Sequence, residues 1–389
     1  MHLDPSLPSV VGALLAILLA GVILTRLRQP HVVGYLVTGI LLGPHVFGVI
    51  QDQELVARLG SIGVVLLMFF IGMEISPKKL LASWRIAVIG TLAQIGLSVL
   101  IIWLIGLWLD WPLPRSILIG FVISLSSTAV VLKILQDKGD LDTDTGQNVL
   151  GVLLFQDMAI VPMLIITGTM SGSHLQASDI ALQIIGGILM LSLAGWIIAR
   201  ETIHLPLAKW INQDHELQIF LALTICFGLS LLTGLFQLST ALGAFVGGML
   251  VGAARETQWV HHSLDPFRVV FVALFFVSVG VLVDIQFVFE HWIQVALLSA
   301  VVLTLNLFLN TVIIRLLGDS WPDSLYSGAL LSQVGEFGFV LIGVGFHSHI
   351  VSSYAHQLTI TVIAVTLILS PALISLVKYL VYPSHPLPR

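Results

Sequence analysis

Stretches of about twenty apolar residues, separated by short polar turns, recur along this chain and constrain its fold more than any single motif does. A helix of that length, rising ~1.5 Å per residue, spans the ~30 Å hydrocarbon core of a bilayer. Hydrophobic residues make up 57% of the 389 and charged residues only 10%, against about 25% charged in a soluble domain. The expected fold class is an all-α polytopic membrane protein. Thirteen spans are predicted, at residues 7–26, 31–50, 56–75, 84–108, 115–135, 146–170, 180–199, 216–234, 237–254, 267–285, 290–316, 325–346 and 356–381. The first has no basic segment before it, so it reads as a retained span and not a cleaved signal. Cys226, the one cysteine, lies inside an apolar stretch and excludes an internal disulfide or a cysteine metal cluster.

Loop charges test the count. With the N-terminus outside, the inner connections collect Arg26, Arg28, Lys78, Lys79, Arg85, Lys133, Lys138, Arg200, Lys209, Arg255, Arg268, Arg315, Lys378 and Arg389. That is 14 of the 16 Lys and Arg, and only Arg58 and Arg115 are left outside. The positive-inside rule therefore favours thirteen spans in the inner membrane, with the C-terminus cytoplasmic. Spans eight and nine are divided only by residues 234–237, and fusing them would reverse everything downstream.

The two halves resemble each other. Gly34, Val37, Gly39, Leu41 and Gly43 match Gly243, Val246, Gly248, Leu250 and Gly252 at an offset of 209, and Pro162 meets Pro371 at the same offset. At 208, Gly72 meets Gly280, Gly120 meets Gly328, and Ser124 meets Ser332. Partners are seven spans apart, an odd number, so the copies run oppositely through the bilayer. The expected organisation is a single transporter domain: repeat one at about 7–170 (spans one to six), a linker helix at about 180–199, and repeat two at about 216–381 (spans eight to thirteen). Inverted repeats are a secondary-transporter architecture, with the site near the midplane. The glycines in Gly39-x-x-x-Gly43, Gly243-x-x-x-Gly247 and Gly248-x-x-x-Gly252 read first as helix-packing faces.

One carboxylate stands where hydrocarbon is expected. Asp157 follows the polar turn at 143–146 by 11 residues, which puts it ~17 Å deep. An acid at that depth serves as an ion or proton site more often than as structure. Desolvation weakens its hold on charge, so proton and cation can compete for it. Gln156 adds a neutral oxygen beside it. Span five carries Ser124, Ser126, Ser127 and Thr128, and span twelve carries Ser332, Gln333 and Glu336, at a similar depth. Such runs compete with helical hydrogen bonding, so both spans are expected to break and to line a cavity where freed backbone can meet an ion. Three roles are open to Glu336: second ligand, partner of a broken helix end, or protonated structural acid. Thr366 stands opposite Asp157 in the repeat, so the acid is in one half only.

Glu74 and Asp284 read as interfacial, and Arg200 with Glu201 as an anchor. His261-His262 and His347-x-His349 lack acidic or cysteine partners, and no metal beyond a transported monovalent cation is expected. No phosphate loop, nucleophile elbow or zinc motif occurs, and no connection is long enough for a catalytic domain, so neither an enzyme nor a nucleic-acid binder is expected, and no cofactor.

The runs Gly34 to Pro44, Phe70-Ile71-Gly72-Met73-Glu74, Leu125-Ser126-Ser127-Thr128-Ala129, Phe155-Gln156-Asp157, Leu274 to Gly280 and Leu331-Ser332-Gln333-Val334-Gly335-Glu336-Phe337 resemble the membrane domain of Kef-type potassium/proton antiporters, in the monovalent cation:proton antiporter-2 family. The resemblance implies a homodimer of thirteen-helix protomers with two crossed, broken helices in each core. It also implies that Asp157 carries ion and proton and that the Gln-Asp pair favours K+, whereas Asn-Asp or Asp-Asp accompanies Na+. Many relatives carry a Lys in span eleven, where this chain has Asn306 or Asn310, and one-for-one electroneutral exchange is then the simplest expectation. No nucleotide-binding regulatory domain occurs within these 389 residues, which leaves a deleted domain, a separate regulatory subunit or an ungated antiporter. The function expected is K+/H+ antiport by elevator-like access, with Na+/H+ antiport, a gated channel without proton coupling and a sodium-coupled organic-anion transporter as alternatives. The last would need a cationic pocket, and no intramembrane Lys or Arg supplies one.

Overall fold

The computed structural model describes residues 7–26, 31–50, 53–74, 84–170, 177–200, 214–238, 240–254 and 260–382. Glu201, Arg28, Lys78, Lys79, Lys209, Arg255 and Arg389 lie outside the described residues, as do the side chains of Glu74, His261, His262 and Arg268.

The described chain is helical and contains no β-strand. In order the helices are α1 (Leu7–Arg26), α2 (His31–Leu42), α3 (Gln53–Glu74), α4 (Ile86–Trp108), α5 (Leu113–Ser124), α6 (Thr128–Lys138), α7 (Asp144–Met170) and α8 (Ala177–Ala199). They continue as α9 (His215–Leu235), α10 (Thr240–Ala253), α11 (Val260–Val281), α12 (Ile285–Glu290), α13 (Trp292–Leu316), α14 (Trp321–Leu330), α15 (Phe337–His347) and α16 (Ser353–Val381). Helix occupies each of the stretches predicted above. By length and composition, five segments among the described residues can cross a membrane: Ile86–Trp108, Leu113–Lys138, His215–Leu235, Trp292–Leu316 and Ser353–Val381. Shorter apolar helices of 10–17 residues include Val33–Leu42, Thr240–Ala253 and Phe337–His347. Large apolar side chains stand exposed along several helices, among them Leu15, Leu18, Leu19 and Ile23 on α1 and Phe220, Leu231 and Leu235 on α9. An apolar surround is the natural solvent for such faces.

Helix boundaries follow local chemistry. Pro114 sits in the first turn of α5 and Pro322 in that of α14, where a missing N–H costs nothing. Asp214, Asp284, Ser320 and Ser352 each accept a bond from a first-turn amide of the helix that follows. Asp284, expected at an interface, is therefore the N-cap of α12. Gly139 ends α6 at φ 68°, a left-handed turn that glycine adopts without strain.

The chain divides into two compact units. The first comprises Met1–Val56, Ser83–His174 and Phe276–Arg389. Within it α4 packs on α5, and α13 on α14. Helix α2 crosses the end of α11 backbone to backbone: a Cβ on Gly39 would lie 2.2 Å from the Val277 oxygen, and one on Gly280 2.2 Å from the Leu36 oxygen. The second unit comprises Ala57–Ala82 and Leu175–Phe275. In it α9 and α10 form a hairpin, separated by a turn. There α3 crosses α10 in the same manner: a Cβ on Gly72 would lie 2.2 Å from the Phe245 oxygen, and one on Gly248 2.0 Å from the Phe69 oxygen.

Candidate functional site

Two helices of the first unit are interrupted. Between α5 and α6 the chain is extended at Leu125 (φ −90°, ψ 120°) and Ser127 (φ −79°, ψ 109°), and residues 331–336 separate α14 from α15. The stops share one cause. Ser124 Oγ donates back to the Phe121 carbonyl at 2.8 Å and Ser332 Oγ to that of Ala329 at 2.7 Å, so side chains take over bonds the backbone would otherwise make.

The breaks meet. Gly335 N donates to the Leu125 oxygen at 2.7 Å, and Ser126 Oγ to the Leu331 oxygen at 2.9 Å. The approach demands glycine, since a Cβ at Gly335 would lie 2.5 Å from the Ser126 oxygen.

Successive residues of the first break hold the two acids. Ser127 Oγ donates to Glu336 Oε2 at 2.7 Å, and Thr128 Oγ1 reaches Asp157 Oδ1 and Oδ2 at 3.1 and 3.2 Å. Asp157, on α7, is 7% exposed. Ser127 and Thr128 open α6 and Glu336 precedes α15, so both acids are held at starts of half-helices, the ends with positive partial charge.

The opposite ends of the half-helices are covered by amides. Asn306 Nδ2, on α13, donates to the Ile123 oxygen at 2.7 Å and to that of Ser332 at 3.2 Å, one carbonyl from the end of α5 and one from the second break. Asn310 Nδ2 bonds the oxygens of Asn306 at 2.9 Å and Leu331 at 3.4 Å. Of the two asparagines, Asn306 is the one whose amide reaches both interrupted helices, and it does so without a charge.

Gln156 is occupied. Its Oε1 accepts from Ser126 N at 2.9 Å, while its Nε2 donates to the Ser124 oxygen at 3.1 Å and to Gln94 Oε1 at 2.8 Å. Thr366, expected opposite Asp157 in the repeat, resembles Gln156 in action: its Oγ1 accepts from Val334 N at 3.3 Å in the second break. Gln333 is fully buried, and neither polar atom of its side chain has a hydrogen-bond partner. Gln94 was not singled out from the sequence. Its signal was the spacing Thr91, Gln94, Ser98, a buried polar stripe on an otherwise apolar helix.

The ends of this unit carry polar clusters. At one end, Asp140 accepts from Tyr326 at 2.7 Å and pairs with Lys378, while Tyr382 and Ser320 donate to Asp323, and Asn148 donates to Asp319 at 3.1 Å. At the other, His45 lies 3.6 Å from Asp284, and the Phe287 and His291 rings pack on Tyr354. The His347 ring nitrogen lies 2.8 Å from the Gly343 oxygen. Among the described residues no group of three or more His, Cys, Asp or Glu could hold a metal ion.

Two helices broken where they touch, with an acid held at the break inside an apolar helical protein, define an ion-translocating membrane transporter. Residues 11–377 match the family described as sodium/hydrogen exchanger, transmembrane, and the chain belongs to that family of cation/proton antiporters. It is 35% identical to the iron transporter MagA of Paramagnetospirillum magneticum, over 94% of this chain and 84% of that one. It is 32% identical to the putative cation/proton antiporter YbaL of Escherichia coli, over 97% and 70%. It is 29% identical to the glutathione-regulated potassium-efflux system protein of Haemophilus influenzae, over 98% of this chain but 62% of that one. The fold is similar to that of the sodium proton antiporter MjNhaP1 of Methanocaldococcus jannaschii, at a TM-score of 0.68 and 16% identity, covering 96% and 98% of the two chains.

Proposed function

We propose that this chain exchanges K+ for H+, both competing for Asp157, through elevator-like movement of the helices that carry the breaks. The observation that carries the reading is the placement of Asp157 and Glu336 on adjacent hydroxyls of one break, Thr128 and Ser127. Cation binding at Asp157 releases the proton, and protonation releases the cation. Glu336 and the open amide of Gln333 are the further ligands, and Gln156 contributes by holding the break. The donors are oxygens alone, which suit a hard cation. Asn306 covers the negative half-helix ends without adding charge, so one cation for one proton is the stoichiometry.

The Gln-Asp pair and the relative named for potassium efflux favour K+; the family description and the structural neighbour favour Na+ as the second reading. Thirteen spans in inverted repeats fit the packing. The Gly39 and Gly280 contacts have their repeat counterparts in Gly248 and Gly72, down to the carbonyl approached. Ser124 and Ser332 turn back alike. The connections and span ends assigned to the inner side supply Asp140, Asp319 and Lys378 to one cluster, and the span ends assigned to the outer side supply His45 and Asp284 to the other. Fusing spans eight and nine would put those members on opposite sides. The reading includes an inner-membrane homodimer.

The test is proton movement in proteoliposomes on addition of K+ or Na+, with Asp157→Asn in parallel. K+-driven proton flux that the variant lacks, a loss of at least a hundredfold, is expected on the order set by removing the one exchangeable carboxylate. Flux driven by Na+ alone transfers the assignment to the second reading, and K+ movement without protons makes the protein a channel.

A further inference from the structure

Helix α4 buries one face, made of Thr91, Gln94, Ser98, Ile102 and Gly106. Its polar half reaches α7: Thr91 Oγ1 donates to the Val152 oxygen at 3.3 Å, and Gln94 Oε1 accepts from Gln156 Nε2 at 2.8 Å. The Gln94 side chain is fully buried, and its own Nε2 has no hydrogen-bond partner. Packing alone does not call for it, since a leucine would fill similar space without burying an unpaired donor.

The backbone of the break fixes the orientation of the Gln156 amide, and Gln94 takes its remaining N–H. Turned over, the Gln156 amide would set its oxygen against two acceptors, Gln94 Oε1 and the Ser124 carbonyl, and its NH2 against the Ser126 N–H. As it stands, every contact is donor to acceptor.

We infer that Gln94 is a positioning residue, acting through Gln156 to hold the break between α5 and α6 open beside Asp157. Ser126 is kept by Gln156, and the next two residues carry the hydroxyls on Glu336 and Asp157. Loosening Gln156 therefore shifts the ligands of the cation while leaving the carboxyl itself in place. The transport consequence rests on the antiport reading; the hold on Ser126 does not.

The experiment pairs hydrogen–deuterium exchange at the Ser126 amide in detergent with cation-driven proton flux in proteoliposomes, for the wild type, Gln94→Leu and Gln94→Glu. In Gln94→Leu exchange at the break quickens and the KM for the driving cation rises, each roughly fivefold for one lost hydrogen bond, while the maximal rate holds. Its Tm changes little, because losing the unpaired Gln94 donor offsets the Gln156 N–H left without its acceptor. Gln94→Glu keeps an acceptor at the same reach and keeps the slow exchange. Unchanged exchange in Gln94→Leu overturns the inference, and so does exchange that quickens equally in Gln94→Glu, since that variant keeps the acceptor for Gln156. If Gln94→Leu does not fold, Gln94→Met is read by the same measures. A wild type that couples neither K+ nor Na+ to protons removes the antiport reading, and exchange at Ser126 still decides Gln94.

Discussion

Asp157 and Asp319 illustrate how differently one residue type behaves in this molecule. Asp157 lies within an apolar helix and is held by a threonine hydroxyl from the neighbouring break, the arrangement expected of an acid that exchanges its counterion. Asp319 stands in the connection between α13 and α14, bonded by Asn148, and burial pushes its carboxyl above the usual range, with the charges of Asp323 and Asp144 adding to the effect. A folded-state value above the unfolded one means that the folded protein binds the proton more tightly. Its ionised form thus costs stability above the folded value, and the cost fades as pH falls through the window between the two. Asp319→Asn, which keeps an oxygen for Asn148, should therefore raise Tm at neutral pH by roughly one to two degrees. The gain should vanish under acid conditions. A thermal-unfolding series across pH checks both halves, and a gain that persists at low pH would rule out ionisation as its cause.

At the scale of elements, the two interrupted helices work as a pair because their breaks lie in contact. Gly335 is the narrowest point, with its amide on Leu125 and its α-carbon facing the Ser126 carbonyl. An added methyl there must push one break off the other. Gly335→Ala is expected to cost about 1–3 kcal/mol, the range for overpacking a close contact, and to lower the cation-driven rate more than Tm suggests. Gly343 on α15, with no atom within 4 Å of a Cβ, is the control: Gly343→Ala should leave the rate unchanged and keep or raise Tm, since alanine favours helix over glycine. Comparable losses in the two variants would remove the case for contact. The breaks themselves were legible in the sequence, because serine and glycine inside an apolar run are a local signal. That Asn306 would reach both of them was not legible, since its partners lie 183 and 26 residues away.

For the whole molecule, sidedness is the property on which the transport reading depends. Cys226 is fully buried, so single cysteines in a Cys226→Ser background report position cleanly. Phe47, beyond the end of α2, and Trp108, the last residue of α4, are exposed at helix ends assigned to the outside, and Asp142 in a connection assigned to the inside. Cysteines at the first two should react with an impermeant maleimide on intact cells, and a cysteine at 142 only after lysis. Reaction of all three before lysis would break the topology. The sequence by itself determined the helices, their charge asymmetry, the internal likeness and the acid at depth, because hydropathy, turn chemistry and periodicity act over a few neighbouring residues. Only the tertiary structure decided how the amides are used. Gln156, expected beside the cation, is bonded to the backbone of the break; Gln94 accepts its remaining N–H from 62 residues away; Gln333 is left open. An amide both donates and accepts, so its role depends on which partners packing brings within reach, and those contacts come from residues remote in the chain.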